Sequence, residues 1–299
     1  MKYAKSGDEN FIQQIEQSAF YGIVHSIFAR VINIYCVNTD ELFSLACNKV
    51  DNGPNTLVIG ISEFVGTSVQ VNDNVFVKNG ILFIEDKESI SIEYVKKWIG
   101  TLPSYPDDSA KLMLNLIKMK KYIHAHGVSG GIKRSVLSNN IFENEMSKIL
   151  EEQSNGLVRA LANHDFPEAL QCATKLIGLG PGLTPSGDDF IVGLLTVFNI
   201  PDSPCYTYRA FGFDLVKVAK KLTNDVSFIA LKKSSTGMVR QTIIRLLHSL
   251  MDGEEKEMIH ALDNVLNIGS SSGTDIALGI VCGLEMNMET GGRVCLQDV

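Results

Sequence analysis

The feature that most constrains this 299-residue chain is a change of hydrophobic period near residues 101–108. Before it, short β-branched and aromatic runs recur at 31–37, 42–47, 56–61, 75–77 and 81–84, lengths that suit strands. Asn52-Gly53-Pro54 marks a loop between two of these runs. Asn79-Gly80 separates the last two, and both residues tolerate positive φ, which predicts a tight hairpin. Pro103, Pro106, Asp107 and Asp108 then interrupt the pattern.

Beyond that break, apolar residues recur at helical spacing. Leu112, Met113, Leu116 and Ile117 fit one helix, and Met146, Ile149, Leu150, Leu157 and Leu161 fit one or two more. Asp165, Pro167 and Glu168 read as a capped helix start whose buried face is Leu170, Ala173, Leu176 and Ile177. Further helices are expected near 188–199, 207–222, 226–248, 254–266 and 274–287, with no obvious tandem repeat. The expected class is α+β: a mainly antiparallel β sheet or barrel over residues 1–105, then a larger helical domain over 106–299.

Composition narrows the function. Apolar residues at 45% and charged residues at 20% support a sizeable folded core. A net charge of −7 argues against broad attraction to nucleic acid or to an anionic membrane. A small anion site stays open, because backbone N–H groups make one without net charge. Cys36, Cys47, Cys172, Cys205, Cys282 and Cys295 are scattered and form no C-x-x-C pair, as expected of free thiols in a reducing cytosol. The first ten residues are polar, unlike a signal peptide, and stretches such as 190–198 are too short to span a bilayer. The expectation is a soluble cytoplasmic protein.

The chemistry concentrates in two glycine-rich turns of the C-terminal half. Residues 180–189 read Gly-Pro-Gly-Leu-Thr-Pro-Ser-Gly-Asp-Asp, with three glycines and two prolines in ten positions, so they cannot continue a helix. Ser186 is placed to cap the next helix, with Asp189 three residues on in a box-like position. A glycine loop feeding a helix N-terminus suits phosphate or carboxylate, and Thr184 and Ser186 add hydroxyl donors. Asp188 and Asp189 repel an anion but suit a bridging Mg²⁺ or a base acting on N–H or O–H; alternatively they serve the helix start alone. The second turn, Gly269-Ser270-Ser271-Ser272-Gly273-Thr274-Asp275, has the same logic, with Thr274 or Asp275 starting a final helix. Helices that converge would place both turns on one pocket.

Weaker signals surround these. Gly127-Val128-Ser129-Gly130-Gly131-Ile132-Lys133-Arg134 reads as an exposed flexible turn, or as a loop lying over an anionic ligand. His124 and His126 have no obvious partners for a metal. Thr223, Asn224, Asp225 and Ser227 form a polar cluster entering a helix, where capping is the ordinary role and Asn224 or Ser227 is within reach of the site. No G-x-x-x-x-G-K-[ST] phosphate loop occurs.

The two glycine turns, with Val24-His25-Ser26-Ile27-Phe28, Asn33 and Asn52-Gly53-Pro54, resemble the AllH family over most of the chain. That resemblance implies a subunit of oxamate carbamoyltransferase in allantoin and purine-ureide breakdown. Oxalurate and phosphate would give oxamate and carbamoyl phosphate, in company with two other subunit types. On that reading Gly180, Gly182 and Gly187 shape the loop, and Thr184 and Ser186 donate to the anion. Asp188 or Asp189 orients the carbamoyl amine or a metal, and Ser271, Ser272, Gly273 and Thr274 form the opposite wall. It implies a small anionic substrate, leaves both a metal-free site and one that uses Mg²⁺ open, and is compatible with homo-oligomers. Two rivals remain: a non-catalytic scaffold or ligand-binding subunit, and a small-molecule phosphotransferase with the Gly-Asp helix start of ribokinase-like kinases.

Overall fold

The computed structural model describes residues 1–134 and 140–291. Two compact units are present, one spanning Met1–Thr101 and a second that begins at Leu102.

The first unit is a barrel-like sheet of β1 (Lys2–Asp8), β2 (Tyr21–Ile27), β3 (Val31–Cys36), β4 (Glu41–Ala46), β5 (Thr56–Ile59), β6 (Asn74–Lys78), β7 (Ile81–Ile84), β8 (Glu88–Ser91) and β9 (Lys96–Trp98). Eight strands follow one another as β5-β4-β3-β2-β6-β7-β8-β1, and β1 pairs back onto β5 to close the ring, with β9 continuing along β1 beyond β8. Closure satisfies strand edges that would otherwise template aggregation. Most pairings are antiparallel; β4–β5, β1–β8 and β1–β9 are parallel.

Side-chain alternation fills the interior. Ile32, Ile34 and Cys36 from β3, Phe43 and Leu45 from β4, and Leu57 and Ile59 from β5 are all buried. Helix α1 (Glu9–Glu16) adds Phe11, Ile12 and Ile15 to the same core. There the rings of Phe11, Phe20 and Phe43 lie 4.7 to 5.1 Å apart. The Asn79-Gly80 hairpin forms as expected, with φ of 53° and 70° and Lys78 opposite Ile81. Both positive φ values fit a type I′ turn.

The second unit is helical: α2 (Ala110–His126), α3 (Ile141–Ala162), α4 (Phe166–Leu176), α5 (Ser186–Phe198), α6 (Arg209–Ala219), α7 (Asp225–Ser234), α8 (Gln241–Met251), α9 (Glu255–Leu266) and α10 (Ser272–Thr290). Asp165 caps α4 by accepting from the Glu168 N–H at 3.1 Å. The single helix expected over 226–248 is in fact α7 and α8. The chain reverses at Gly237, with φ of 77°, and the Met238 N–H returns to the Lys233 carbonyl. Among the described residues no helix is long and apolar enough to cross a membrane. Cys36, Cys47, Cys172, Cys205 and Cys282 are free thiols, and Cys295 lies outside the described residues.

Helix α5 is buried along its whole length and α10 along most of it, so these two form the hub. Glycine allows their backbones to touch. A Cβ at Gly193 would lie 2.1 Å from the Ile276 carbonyl oxygen, and one at Gly279 would lie 2.0 Å from that of Phe190. Contacts advance in step along the two helices, Ser186 with Asp275 near the start and Val197 with Gly283 further on, so the helices point the same way and bring both N-termini to one end.

Candidate functional site

At that end the two glycine turns meet. The hydroxyls of Thr184, just before α5, and Ser272, at the start of α10, are 2.8 Å apart. The helices open with matched sequence, Ser186-Gly187-Asp188-Asp189 and Ser272-Gly273-Thr274-Asp275, and each carries a crossing glycine in the same register, Gly193 and Gly279. The match makes Asp189 and Asp275 equivalent positions.

The first turn is built around Gly180, whose φ of 132° and close approach to the Ser186 amide nitrogen exclude any side chain. Gly182 is exposed, with open space around it. Gly187 and Gly273 are taken up by packing. A Cβ on Gly187 would strike the Leu176 carbonyl oxygen at 2.0 Å, and one on Gly273 would meet that of Val265.

Ser186 does not cap α5. Pro185 holds the cap position and its carbonyl accepts from the Asp189 N–H, which makes Ser186 the first helical residue. Its side chain is buried and its hydroxyl is directed to Asp275 instead. The last helix likewise begins two residues before Thr274, at Ser272, with Ser271 in the preceding cap position.

The three aspartates differ in environment. Asp188 is fully engaged: one oxygen accepts from the Gly178 N–H at 2.8 Å, the other from the Thr223 hydroxyl at 2.5 Å. Burial pushes its pKa up, and these hydrogen bonds oppose that shift. Asp188 therefore ties the first turn to the segment entering α7. Asn224 adds a second tie, capping α7 through Val226 and Ser227 while donating to the Leu183 carbonyl at 2.8 Å.

Asp189 and Asp275 each keep one buried oxygen, Oδ2, with no hydrogen-bond partner. Asp189 is 7% exposed and Asp275 not at all. Burial, with the negative charges of Asp275 and Asp188 adding to it, pushes the Asp189 carboxyl up to about 7, against the Ser272 and Thr184 hydroxyls that favour its ionised form. Burial likewise raises Asp275 to about 6, opposed by the Ile132 amide and the Ser186 and Ser271 hydroxyls.

The loop after α2 is docked onto this centre, not left as a free exposed turn. The Ile132 N–H donates to Asp275 Oδ1 at 2.8 Å and the Val128 N–H to Thr274 Oγ1 at 2.9 Å. Lys133 is not offered to an anion. Its ammonium donates to the carbonyls of Ile123, His124 and Gly127, capping the C-terminus of α2.

Sequence reading placed Asp189, Thr184 and Ser272 together and treated Asp275 only as a helix start; the Ser-Gly-x-Asp match was the signal that would have found it. Residues 127–131 and 269–273 also fit the string G-x-S-x-G, but neither follows a strand as a nucleophile elbow must. Among the described residues no cluster of three His, Cys, Asp or Glu could hold a metal. A cavity of about 610 Å³ lies between α2, α3 and α10, lined by Ile117, Lys120, Val158 and Cys282 and also by Phe190 and Ile132.

Two family models match the chain. One, described as oxamate carbamoyltransferase subunit AllH, covers residues 176–284 and so contains both glycine turns. The other, the AllH family N-terminal domain, covers residues 3–97, the barrel. The chain belongs to the AllH family. The family's name is that of one subunit of a carbamoyltransferase, which is consistent with partner subunits. No solved structure matches the chain.

Proposed function

We propose that this AllH-family chain is a subunit of an enzyme that transfers a carbamoyl group between oxalurate and phosphate, yielding oxamate and carbamoyl phosphate in ureide breakdown. The observation that carries this reading is the junction of the two turns, where Asp189 and Asp275 each keep an unpartnered buried oxygen beside the Thr184, Ser186 and Ser272 hydroxyls. In the forward reaction a phosphate oxygen attacks the carbamoyl carbon. The bond from that carbon to the oxamate nitrogen breaks, and the nitrogen gains a proton. A carboxyl that titrates near 7 is suited to deliver that proton at neutral pH. The paired helix N-termini and the hydroxyls are suited to the charge that builds on the carbamoyl oxygen.

The test is phosphate-dependent cleavage of oxalurate by the chain assembled with its partner subunits. Native complex releases oxamate and carbamoyl phosphate, and complex carrying Asp189→Asn assembles but turns over roughly a hundredfold more slowly or worse. Native turnover in the Asp189→Asn complex would make this chain a scaffold and remove the carboxyl pair from the chemistry.

A further inference from the structure

When ionised, the carboxyl pair has the wrong sign for phosphate. Each helix N-terminus carries roughly half a positive charge, so two together offset about one carboxylate. Three aspartates, Asp188, Asp189 and Asp275, are buried there, and the ammonium of the adjoining loop, Lys133, is occupied by carbonyls. What each carboxyl of the pair lacks is a donor for its Oδ2. Two acceptor oxygens, more than nine-tenths buried and without partners, stand on equivalent positions of two helices that run side by side. A buried acceptor left without a donor is costly, and a ligand bearing N–H groups on two edges removes that cost.

We propose that Asp189 and Asp275 clamp a urea-type group, –NH–CO–NH₂, with an N–H on each Oδ2, and that the phosphate is held outside this pair. This rests on the carbamoyl-transfer reading of the same site and narrows it to the ureide half. The matched Ser-Gly-x-Asp starts give the clamp its two jaws. Phosphate binding falls to another surface of this chain or to another subunit, and the active site is complete only when that surface is brought to the clamp.

Binding to the full isolated chain tests this, by calorimetry and thermal denaturation with oxalurate, N-carbamoylglycine and inorganic phosphate. N-carbamoylglycine shares the ureide but lacks the oxalyl group. Both ureides should bind and stabilise the native chain, and phosphate should compete with neither. Asp189→Asn and Asp275→Asn, which replace an acceptor by a donor at nearly constant volume, should each weaken both ureides roughly tenfold or more. Phosphate competition, native affinity in both variants, or no ureide binding to the native chain would overturn the clamp. The native-chain measurements decide the matter even if a variant fails to fold. Clamp and reaction fail separately: Asp275-dependent ureide binding without turnover in the assembled complex would keep the clamp and discard carbamoyl transfer.

Discussion

Replacing Asp189 by Asn should stabilise the unliganded protein, and by an amount that depends on pH. The folded carboxyl is pushed up to about 7 from 3.8. Below 3.8 the group is protonated in both states and costs nothing. As pH rises towards 7 the unfolded chain ionises while the folded one does not, so stability falls, and above 7 the loss is constant. At about 1.4 kcal/mol per unit, the shift corresponds to a cost on the order of 4 kcal/mol at about pH 8 and roughly 1 kcal/mol at about pH 4.5. Asn cannot ionise and removes that cost. With about 2–4 °C per kcal/mol for a unit of this size, Asp189→Asn should melt on the order of 10 °C above native at about pH 8. The advantage should shrink to a few degrees near pH 4.5. Paired thermal scans cancel the titration of every group that does not interact with Asp189, which leaves Asp275 and Asp188 as the coupled neighbours. An advantage independent of pH, or a native protein that melts higher at about pH 8, would refute the claim that this carboxyl is held against its own desolvation.

Three further outcomes follow from the packing. Gly279→Ala forces the α5–α10 crossing apart, because its Cβ would sit 2.0 Å from the Phe190 carbonyl oxygen; a loss of about 1–3 kcal/mol in denaturant titration is expected, and no loss would deny the backbone contact. Gly131→Ala places a Cβ 2.3 Å from Asp275 Oδ2, so the amides of Val128 and Ile132 should exchange hydrogen faster with little change in global stability; unchanged exchange would detach the loop from the site. Gly80→Val puts a β-branched residue at φ of 70° in the hairpin and should lower the barrel's stability by about 1–2 kcal/mol, measured by chemical denaturation; a neutral result would contradict the turn assignment.

What the sequence made legible was whatever a local pattern determines. The runs that became β3 to β7 carry enough β-branched and aromatic residues to stand out, and Asn79-Gly80 announces its own turn. Strand β1, Lys-Tyr-Ala-Lys-Ser-Gly-Asp, does not: its strand character comes from pairing with β5, β8 and β9, contacts made far away in the chain. The break between α7 and α8 was missed because apolar spacing runs across it, while one glycine with positive φ ends the first helix. The glycine density of 180–189 marked the segment that meets the second turn. The role of Asp275 depended on two helix starts meeting, which spacing within either turn cannot reveal. The same holds for Ser186, which looks like a cap by position and is displaced from that role by Pro185.

The measurement that bears most directly on the central claim is a crystal structure of the chain with oxalurate bound. Ureide nitrogens are expected within about 2.7–3.2 Å of both Asp189 Oδ2 and Asp275 Oδ2. Oxalurate seated elsewhere, in the cavity between α2, α3 and α10 for instance, with both aspartate oxygens still unpartnered, would contradict it.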